Sequence, residues 1–339
     1  MAKKKYNVAV LGATGMVGKV MMQVLEERNF PVGRFLPLAS TRTAGTKVTF
    51  KGKKYTVEVA KPSSFEGIDI GLFSAGAKIS EILAPEAVKK GAVVIDNTSF
   101  YRMDPNVPLV VPEVNAYDLK WHKGIIANPN CSTAQMVLIL KPIHDLAKIK
   151  RVVVSTYQST SGWGKEAVEE LNIQTKAVLA GRKPKVKILP KQIAFNVIPQ
   201  IDSFTSNGYT KEEMKMVNET KKIMGDLSIQ VTATTVRVPV VIGHSEAVNI
   251  ETERKISVAQ VRDVLSKFPT VKVMDTPEKG VYPTAIDCVG SDDTFVGRIR
   301  EDISIPNGID LWIVSDNLRR GAATNAILIA EEMIAEGLI

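Results

Sequence analysis

Short apolar runs alternate with amphipathic stretches through roughly the first 130 residues of the chain. Apolar runs of this length predict buried strands, and apolar residues three or four positions apart predict helices. Regular alternation of the two is typical of a doubly wound sheet of parallel strands. The predicted strands are residues 6–11, 35–39, 69–73 and 92–95, and the predicted helices are residues 17–28 and 79–90.

Two features interrupt this alternation. Residues 48–50 and 55–60 flank Lys51-Gly52-Lys53-Lys54, which predicts an inserted hairpin. Pro37 lies inside the second predicted strand. Because proline cannot donate to a ladder, we expect that strand to be short or bulged there.

Beyond about residue 130 the predicted strands are longer, and helices separate them. This pattern predicts an open mixed sheet in a second domain of the α+β class. The helix at residues 257–267 opens with Ser257 and Gln260, a capping-box pattern. The remaining predicted elements are strands 149–158, 228–238 and 245–253, and helices 132–146 and 316–337.

The composition indicates a globular protein that buries a sizeable core. Apolar residues make up 45% of the 339 positions and charged residues 24%. No apolar run approaches the roughly 18 to 20 residues that cross a bilayer, so we expect no membrane partner. The basic segment from Met1 to Tyr6 leads into a glycine-rich turn without the apolar stretch of a secretory signal. We therefore predict a cytoplasmic protein.

The formal net charge of +8 comes from lysines and arginines spread along the chain. The densest runs, residues 51–54 and 183–191, lack the interleaved aromatic residues of nucleic-acid-binding segments. We therefore expect no nucleic-acid partner. A basic surface instead favours small anionic substrates and an anionic cofactor.

The turn after the first predicted strand carries Gly12, Gly15 and Gly18, in the spacing G-x-x-G-x-x-G. Glycines between a strand and a helix let the backbone approach a pyrophosphate, which the helix N-terminus stabilises. This context predicts a Rossmann-type dinucleotide site. A glycine-rich turn that binds no ligand is the alternative.

The residues after the second predicted strand bear on the choice of nicotinamide cofactor. An NAD enzyme usually places Asp or Glu there, whereas this chain has Ser40-Thr41-Arg42-Thr43. Arg42 and its hydroxyl neighbours suit a 2′-phosphate, so we predict NADP. The alternative is a solvated surface arginine.

The chain contains two cysteines, too few for a disulfide framework, and no pair at metal-ligand spacing, so we expect no metal. Cys131 follows Asn128-Pro129-Asn130 at the predicted start of a helix, where the helix N-terminus favours a thiolate. Cys288 lies in the apolar context Ala285-Ile286-Asp287-Cys288-Val289 and is expected to be structural.

A nucleophilic cysteine generally needs a proton donor or acceptor, and three histidines are available. The surroundings of His122 and His144 are not catalytic in character. His244 follows Arg237 and a glycine turn, so both side chains can project into one cleft. A structural histidine is the alternative.

Several short motifs follow one another in an order that is far more specific than any single one. On these motifs the sequence resembles the aspartate-semialdehyde dehydrogenase family over essentially its full length. The motifs are residues 12–18, 96–99 with 102–103, 110–115, 128–133, 155–158, 237–246 and 316–325.

The resemblance implies the roles of the catalytic residues. Cys131 would be the nucleophile, His244 the general acid and base, and Gln158 the residue that orients the bound intermediate. Arg237 would form a bidentate pair with the substrate carboxylate, which suits guanidinium geometry.

The same resemblance assigns further substrate contacts. Glu212 would meet the substrate ammonium, while Lys215, Arg102 and Asn130 would hold the phosphate. An alternative for Glu212 and Lys215 is a solvent-exposed i, i+3 pair on a helix.

The implied cofactor contacts come from several loops. Thr43 stands where serine is commoner in the family, and Trp163 interrupts a Ser-Gly-x-Gly turn where a small residue is usual, which puts the contacts of that loop in doubt. The implied cofactor residues are Gly12, Thr14, Gly15, Met16, Val17, Thr41, Arg42, Thr43, Ser74, Ala75, Gly76, Ser161, Gly162 and Asn317.

The family's activity is the NADPH-dependent conversion of L-aspartyl 4-phosphate to L-aspartate 4-semialdehyde through a cysteine thioester. It serves biosynthesis of lysine and diaminopimelate, threonine, methionine and isoleucine. The implied domains are an NADP-binding domain at residues 1–130, completed by a C-terminal helix at 316–339, and a catalytic and dimerisation domain at 131–315. The family forms homodimers, sometimes paired into homotetramers.

Two alternatives remain open on the sequence. An N-acetyl-γ-glutamyl-phosphate reductase shares the chemistry and a cysteine-histidine pair, but it does not need Glu212 and Lys215 to meet a free ammonium. A non-catalytic nucleotide-binding sensor shares the fold, but it does not need Cys131, Gln158, Arg237 and His244 together.

Overall fold

The structure is a computed structural model that describes residues 4–339. Residues 1–3, with which the predicted first domain and the basic N-terminal segment begin, lie outside the described residues. The chain divides into a first unit, which extends to Asn130 and includes Ala322–Ile339, and a second unit, Cys131–Gly321.

The first unit is built on a parallel sheet with the strand order β5-β2-β1-β6-β7-β8, and β3 and β4 form a separate antiparallel hairpin. Its elements up to Asn130 are β1 (Tyr6–Leu11), α1 (Met16–Glu27), β2 (Val32–Ala39), β3 (Lys47–Phe50), β4 (Lys53–Thr56), β5 (Glu58–Val59), β6 (Ile70–Phe73), α2 (Ala77–Lys89), β7 (Val93–Asp96), α3 (Pro112–Asn115) and β8 (Ile125–Ala127), with 3₁₀ turns at Pro62–Phe65 and Ala116–Trp121.

The strand order confirms the predicted doubly wound sheet. β1 lies between β2 and β6, so the chain reverses its direction of winding beside β1. Strands covered on both faces carry continuous apolar runs, and every residue of β6 is buried. In such sheets ligands bind at the carboxyl ends of the strands on either side of the reversal point. Here these are the ends of β1 and β6.

Two details of the strand prediction are wrong. β2 runs without interruption through Pro37, which is in register with Val10. Proline is tolerated there because β5 pairs with β2 only at Leu38 and Ala39, so β2 is an edge strand at Pro37. The predicted strand 55–60 is divided: its first part completes the hairpin, whereas β5 joins the main sheet.

The second unit contains a mixed sheet with the order β10-β9-β11-β14-β13-β12, as predicted. The pairs β10/β9 and β13/β12 are parallel, and the pairs between them are antiparallel. Its elements are α4 (Cys131–Ala147), β9 (Ile149–Gln158), α5 (Lys165–Leu179), α6 (Lys211–Met224), β10 (Gln230–Arg237), β11 (His244–Thr252), α7 (Val258–Lys267), β12 (Val271–Val273), α8 (Ala285–Cys288), β13 (Thr294–Asp302) and β14 (Gly308–Ser315), with 3₁₀ turns at Thr160–Gly162 and Pro277–Lys279.

Helix α4 is the central helix of the second unit. It contacts α6, α7 and the strands β9, β11 and β14, and most of its side chains are buried. A helix that is apolar almost all round must be enclosed by protein. The position of its first residue, Cys131, is therefore fixed by packing along the whole helix.

The predicted helix 316–339 begins too early. Asp316 accepts hydrogen bonds from the N–H groups of Leu318 and Arg319, which forms a turn, and Arg319–Ala323 form a π-helical turn. The last helix, α9 (Thr324–Ala335), follows, and its buried residues share the core of the first unit with those of β1 and α1. None of the helices within residues 4–339 meets the length and hydropathy required to span a membrane.

Candidate active site

The glycine-rich turn between β1 and α1 requires glycine at two of its positions. Gly12 has φ +91°, and a Cβ there would lie 2.8 Å from Oγ of Ser74. A Cβ on Gly18 would lie 2.2 Å from the carbonyl oxygen of Gly12. The first glycine permits the turn, and the last permits close packing of α1 on it.

The start of α1 is suited to an anion. Gly15 is the N-cap, and within residues 4–339 no side chain caps it and no acidic residue occupies the first turn, which contains Met16 and Val17. The first N–H groups of a helix have no intrahelical acceptors, and together with the helix dipole they attract negative charge. The turn therefore fits the pyrophosphate of a dinucleotide.

A cleft of about 320 Å³ extends from this turn to the end of β2. A hydrogen bond between the Oγ1 atoms of Thr14 and Thr43, 3.0 Å apart, links the glycine-rich turn to the loop after β2. No Asp or Glu is among the residues that line it in the described part of the chain. The residues predicted to contact the cofactor that do line it are Gly12, Thr14, Gly15, Thr41, Arg42, Thr43, Ser74 and Ala75.

Other predicted cofactor residues have different positions. Gly76 has φ +98° and precedes α2, next to the cleft-lining Ala75. Ser161, Gly162 and Asn317 belong to the second unit. There Oδ1 of Asn317 accepts hydrogen bonds from the hydroxyl of Ser161 and from the N–H of Gly243.

In the second unit, sheet topology brings predicted catalytic residues to one edge. Gln158 and Arg237 are the last residues of the parallel strands β9 and β10 and are in register. His244 is the first residue of β11, which runs antiparallel beside β9, and it pairs with Ser315 at the end of β14. Residues from distant parts of the sequence thus meet at one edge of the sheet.

Cys131 is partly buried and is the first residue of α4, whose first turn contains no acidic residue. A Cβ on Gly321 would lie 2.7 Å from the Cβ of Cys131, so a larger residue would displace the cysteine. Cys131 also interacts electrostatically with Arg237. A helix N-terminus and a nearby guanidinium both favour a thiolate.

Cys288 has a different environment. It is completely buried, its thiol donates a hydrogen bond to the carbonyl of Ala285, and burial raises its pKa to about 12. A thiol that stays protonated is a poor nucleophile.

Arg237 is buried, and its Nη1 donates a 2.6 Å hydrogen bond to the carbonyl oxygen of Ser159. Burial lowers the pKa of its guanidinium, and the negative charges of Glu212 and Cys131 oppose that change. The carbonyl of Ser159 therefore holds the Arg237 side chain in place, and the charges of Glu212 and Cys131 favour its charged form.

His244 is completely buried. Burial and the charge of Arg237 lower its pKa to about 3, and Glu212 and the Gly243 carbonyl oppose this shift less strongly. Its Nδ1 lies 3.1 Å from both the backbone nitrogen and the hydroxyl of Ser159, while its Nε2 has no hydrogen-bond partner among residues 4–339. A Cβ on Gly162 would lie 3.0 Å from Nε2, so glycine at this position permits the backbone to pack closely against the ring.

Glu212 and Lys215 lie one turn apart on α6. Glu212 is buried, with its Oε2 3.0 Å from Nζ of Lys215 and its Oε1 3.3 Å from Nε2 of Gln158. Lys215 also contacts Asp202, at 3.1 Å. The alternative of a solvent-exposed pair is wrong for Glu212, because its carboxylate is enclosed beside Gln158 and Arg237.

Arg102 and Asn130 are buried in the first unit. The guanidinium of Arg102 donates to the carbonyl oxygens of Asn128 and Asn97, both at 2.9 Å. These bonds fix Arg102 beside the segment Asn128-Pro129-Asn130, which ends immediately before Cys131 in the sequence.

Sequence reasoning missed three residues around His244. Ser159 contacts the ring directly, Gln135 on α4 donates to the carbonyl of His244 at 3.4 Å, and Glu246 is completely buried near Gln135 and Ser132. The position of Ser159 directly after Gln158, at the end of a strand, was an available signal. Glu246 was also detectable, because the alternation along β11 places it on the same face as His244.

Comparison with known proteins identifies the family. The family model for the NAD binding domain of semialdehyde dehydrogenases matches residues 7–122, and the model for their dimerisation domain matches residues 140–320. The aspartate-semialdehyde dehydrogenase of Aquifex aeolicus is 56% identical over 338 residues, which cover 98% of this chain and 99% of that protein. The chain belongs to the aspartate-semialdehyde dehydrogenase family.

Solved structures of the same family agree with this assignment. Aspartate semialdehyde dehydrogenase II of Vibrio cholerae, complexed with ASA, is 48% identical, has a TM-score of 0.94, and is matched over 98% of this chain and 99% of that one. The Candida albicans enzyme, solved with NADP, is 27% identical and has a TM-score of 0.77 over 99% of this chain and all of that one. The predicted membership of the aspartate-semialdehyde dehydrogenase family is confirmed, and neither alternative is favoured.

Proposed function

We propose that this chain catalyses the NADPH-dependent reduction of L-aspartyl 4-phosphate to L-aspartate 4-semialdehyde and phosphate, through a thioester on Cys131. This activity serves the biosynthesis of diaminopimelate and lysine, threonine, methionine and isoleucine. The observation that carries the proposal is the electrostatic interaction of Cys131, at the start of a buried helix, with the buried Arg237, beside His244 and Glu212.

The charges of the second unit match the substrate. Arg237 offers a planar pair of donors to the α-carboxylate, and the carboxylate of Glu212 offers an acceptor to the α-ammonium. Lys215, bonded to Glu212, is assigned to the phosphate together with Arg102 and Asn130. Holding the far end of the substrate fixes its acyl carbon relative to the sulfur, which lowers the entropic barrier to attack.

The first unit is assigned to the cofactor. The glycines at 12, 15 and 18 and the uncapped start of α1 suit the pyrophosphate, and Arg42 with Thr41 and Thr43 suits the 2′-phosphate. When bound, NADPH supplies the hydride that reduces the thioester. Ser74, Ala75, Gly76, Ser161, Gly162 and Asn317 are assigned to the nicotinamide side.

The residues of the second unit account for the covalent steps. The Cys131 thiolate attacks the acyl carbon, a C–S bond forms, and the C–O bond to phosphate breaks, with the electron pair leaving on the phosphate oxygen. After hydride addition, the carbonyl re-forms and the C–S bond breaks, which returns the thiolate and releases the aldehyde. Gln158 orients the bound intermediate, and His244 supplies or accepts protons at the steps that need them.

A homodimer, or a pair of homodimers, belongs to the same proposal. One face of the second sheet carries a groove of about 360 Å³ that includes Tyr282 and Trp312, and the exposed ring of Tyr157 lies 5.4 Å from that of Trp312. Exposed aromatic patches of this kind are typical of protein interfaces. A cytoplasmic location is also proposed, because the cytosol keeps thiols such as Cys131 reduced.

The proposal is tested by replacing the sulfur of Cys131. Activity is measured in the reverse direction, as NADPH absorbance with aspartate semialdehyde, phosphate and NADP. Cys131→Ser should bind NADP as tightly as the parent protein but lose turnover by at least about a thousandfold. Cys288→Ala is the matched control and should keep turnover. Substantial activity in Cys131→Ser, or no activity in the parent protein, would contradict the proposal.

A further inference from the structure

Asp202 has no role in the reaction proposed above, yet it contacts a residue that has one. Its Oδ2 lies 3.1 Å from Nζ of Lys215, which is assigned to the substrate phosphate. The same Nζ lies 3.0 Å from Oε2 of Glu212, which is assigned to the substrate ammonium. One ammonium group is therefore shared by two carboxylates.

The loop that carries Asp202 is attached at both ends to elements of the site. Before Asp202, the backbone of Ile198 exchanges hydrogen bonds of 2.9 and 2.8 Å with that of Arg237. After Asp202, the carbonyl of Ser203 accepts a 2.9 Å hydrogen bond from the N–H of Lys211, the first residue of α6. The position of Asp202 is therefore fixed relative to the strand and the helix that carry the proposed substrate residues.

The backbone of Asp202 has an unusual conformation that directs its carboxylate. Its φ is +68°, in the left-handed region that aspartate and asparagine enter more readily than most residues. Its Oδ1 accepts the N–H of Ser203 at 2.7 Å, while its Oδ2 contacts Lys215. The carboxylate is therefore anchored by its own loop, independently of Lys215.

The three charged groups differ in their exposure to solvent. The side chain of Glu212 is 7% exposed, that of Lys215 25% and that of Asp202 38%. Separating an exposed ion pair costs little, whereas a buried carboxylate that loses its partner is strongly disfavoured. Lys215 can therefore leave Asp202 far more easily than it can leave Glu212.

A phosphate that binds Lys215 becomes the third anion around one ammonium group. Each negative neighbour weakens the attraction of that ammonium for the next one. The charge of Glu212 is also offset by the guanidinium of Arg237, with which it interacts electrostatically. Asp202 is therefore the anion that an incoming phosphate displaces from Lys215.

We propose that Asp202 competes with phosphate for Lys215, and that this competition lowers the affinity of the site for inorganic phosphate. The inference rests on the proposed function, because it concerns the phosphate of that reaction. Asp202 acts through Lys215 and is a positioning residue. The phosphate set free by thioester formation must dissociate before the next substrate binds. As it dissociates, the carboxylate of Asp202 returns to Nζ and supplies a counter-charge, which speeds the release.

Asp202→Asn tests the competition. Asparagine also adopts the left-handed conformation, and its side-chain oxygen can accept the N–H of Ser203, so the loop is retained while the charge is lost. In the reverse reaction the KM for phosphate should fall by about twofold to fivefold, as expected for a partly exposed ion pair. The KM values for aspartate semialdehyde and NADP should stay unchanged. General damage to the site does not lower a KM, so the direction of the change is diagnostic.

The matched control is Asp263→Asn. Asp263 pairs with Lys267 at 2.8 Å on α7, which carries none of the proposed substrate residues, and both side chains are exposed. This variant should leave the KM for phosphate unchanged. A KM for phosphate that is unchanged or higher in Asp202→Asn would overturn the proposal. A higher value would mean that Asp202 holds Lys215 in the orientation that binds phosphate.

A double-mutant cycle shows whether the effect passes through Lys215. Lys215→Met alone should raise the KM for phosphate, because it removes the ammonium. In that background there is no ammonium to compete for, so adding Asp202→Asn should change the KM by much less than it does in the parent protein. An equal decrease in both backgrounds would exclude competition for Lys215.

Phosphate binding is also measured without turnover, through the protection of Cys131 from iodoacetamide. Phosphate bound beside Cys131 should slow its alkylation, and half-protection should need about twofold to fivefold less inorganic phosphate in Asp202→Asn than in the parent protein. A parent protein that turns over no aspartate semialdehyde would contradict the proposed function. An active parent protein with the same half-protecting concentration as Asp202→Asn would contradict only the role of Asp202.

Discussion

Glu246 is a carboxylic acid enclosed by protein on every side. Neither of its carboxyl oxygens has a hydrogen-bond partner among residues 4–339. Burial raises its pKa well above the usual range, and the polar groups of Gln135 and Ser132 oppose the rise less strongly. Because burial disfavours the charged form of the carboxyl group, we expect Glu246 to be protonated in the folded protein.

This protonation predicts a pH-dependent effect of Glu246→Gln on stability. Below the pKa of the unfolded chain both states hold the proton, and the variant should match the parent protein. Above it the unfolded state loses the proton while the folded state keeps it. The parent protein should then lose about 1.4 kcal/mol of unfolding free energy per pH unit relative to Glu246→Gln, up to the folded-state pKa.

Urea denaturation between about pH 4.5 and pH 8 measures this difference. Glu251→Gln, on the same strand but partly exposed and paired with Lys150, is the control and should show little pH dependence. A difference between Glu246→Gln and the parent protein that stays constant over this range would show that Glu246 is ionised in the folded state.

Arg42 offers a test of cofactor choice at the level of one side chain. Arg42→Ala should weaken NADPH binding by at least about tenfold and NADH binding much less, because only NADPH carries a 2′-phosphate. Fluorescence titration with both cofactors measures the ratio. Arg34→Ala, on β2 outside the cleft lining, is the control. Equal weakening of both cofactors would place the 2′-phosphate elsewhere.

Among the elements, α6 shows how local capping supports a site. Thr210 caps α6 through the N–H of Glu213, whose carboxylate in turn accepts the N–H of Thr210. The same first turn carries Glu212, and Lys215 follows one turn later; both are proposed to bind the substrate. α7 begins with a similar box, Ser257 with Gln260, as the sequence predicted.

The two capping boxes form a matched pair for experiment. Thr210→Val and Ser257→Ala should each destabilise the protein by about 1 kcal/mol, because each removes an N-cap hydroxyl. Only Thr210→Val should also raise the KM for aspartate semialdehyde, since of these two helices only α6 carries residues that are proposed to bind the substrate. Steady-state kinetics beside urea denaturation separate the two effects. A KM that rises equally in both variants would mean that global stability, and not the position of α6, sets substrate affinity.

The helices and strands also show which features of the fold a sequence pattern can predict. Continuous apolar strands and the Ser257 box were predictable because local sequence determines them. The start of α9 was not, because Asp316 and Asn317 look compatible with a helix. Their side chains instead bind backbone N–H groups, including that of Gly243, which is 74 residues away. Such long-range hydrogen bonds leave no local periodic signal.

At the scale of the whole molecule, the fold class was predictable, whereas much of the second sheet was not. The prediction did not identify β12, β13 or β14 as strands, although β14 pairs with β11 along its whole length. The edge of the sheet that carries His244 depends on that pairing, because it places Ser315 opposite His244. The motif resemblance implied the roles of the site residues, while the hydrogen bonds that orient them required the structure.

Oligomerisation is testable through the exposed sheet face. Tyr157→Lys places a charge beside Trp312, so it should convert the proposed dimer to monomers at micromolar concentration. Tyr117→Lys, an exposed position in the first unit, is the control and should leave the mass unchanged. Analytical ultracentrifugation gives the mass directly. A dimer that survives Tyr157→Lys would place the interface on another surface.

The contrast between the two cysteines has a practical outcome. Because the buried Cys288 holds its proton up to about pH 12, a maleimide dye at neutral pH should attach to one sulfur per chain without any engineering. That sulfur, on Cys131, is the one proposed to carry the thioester. The fluorescence of the dye would then change when an inhibitor binds near Cys131.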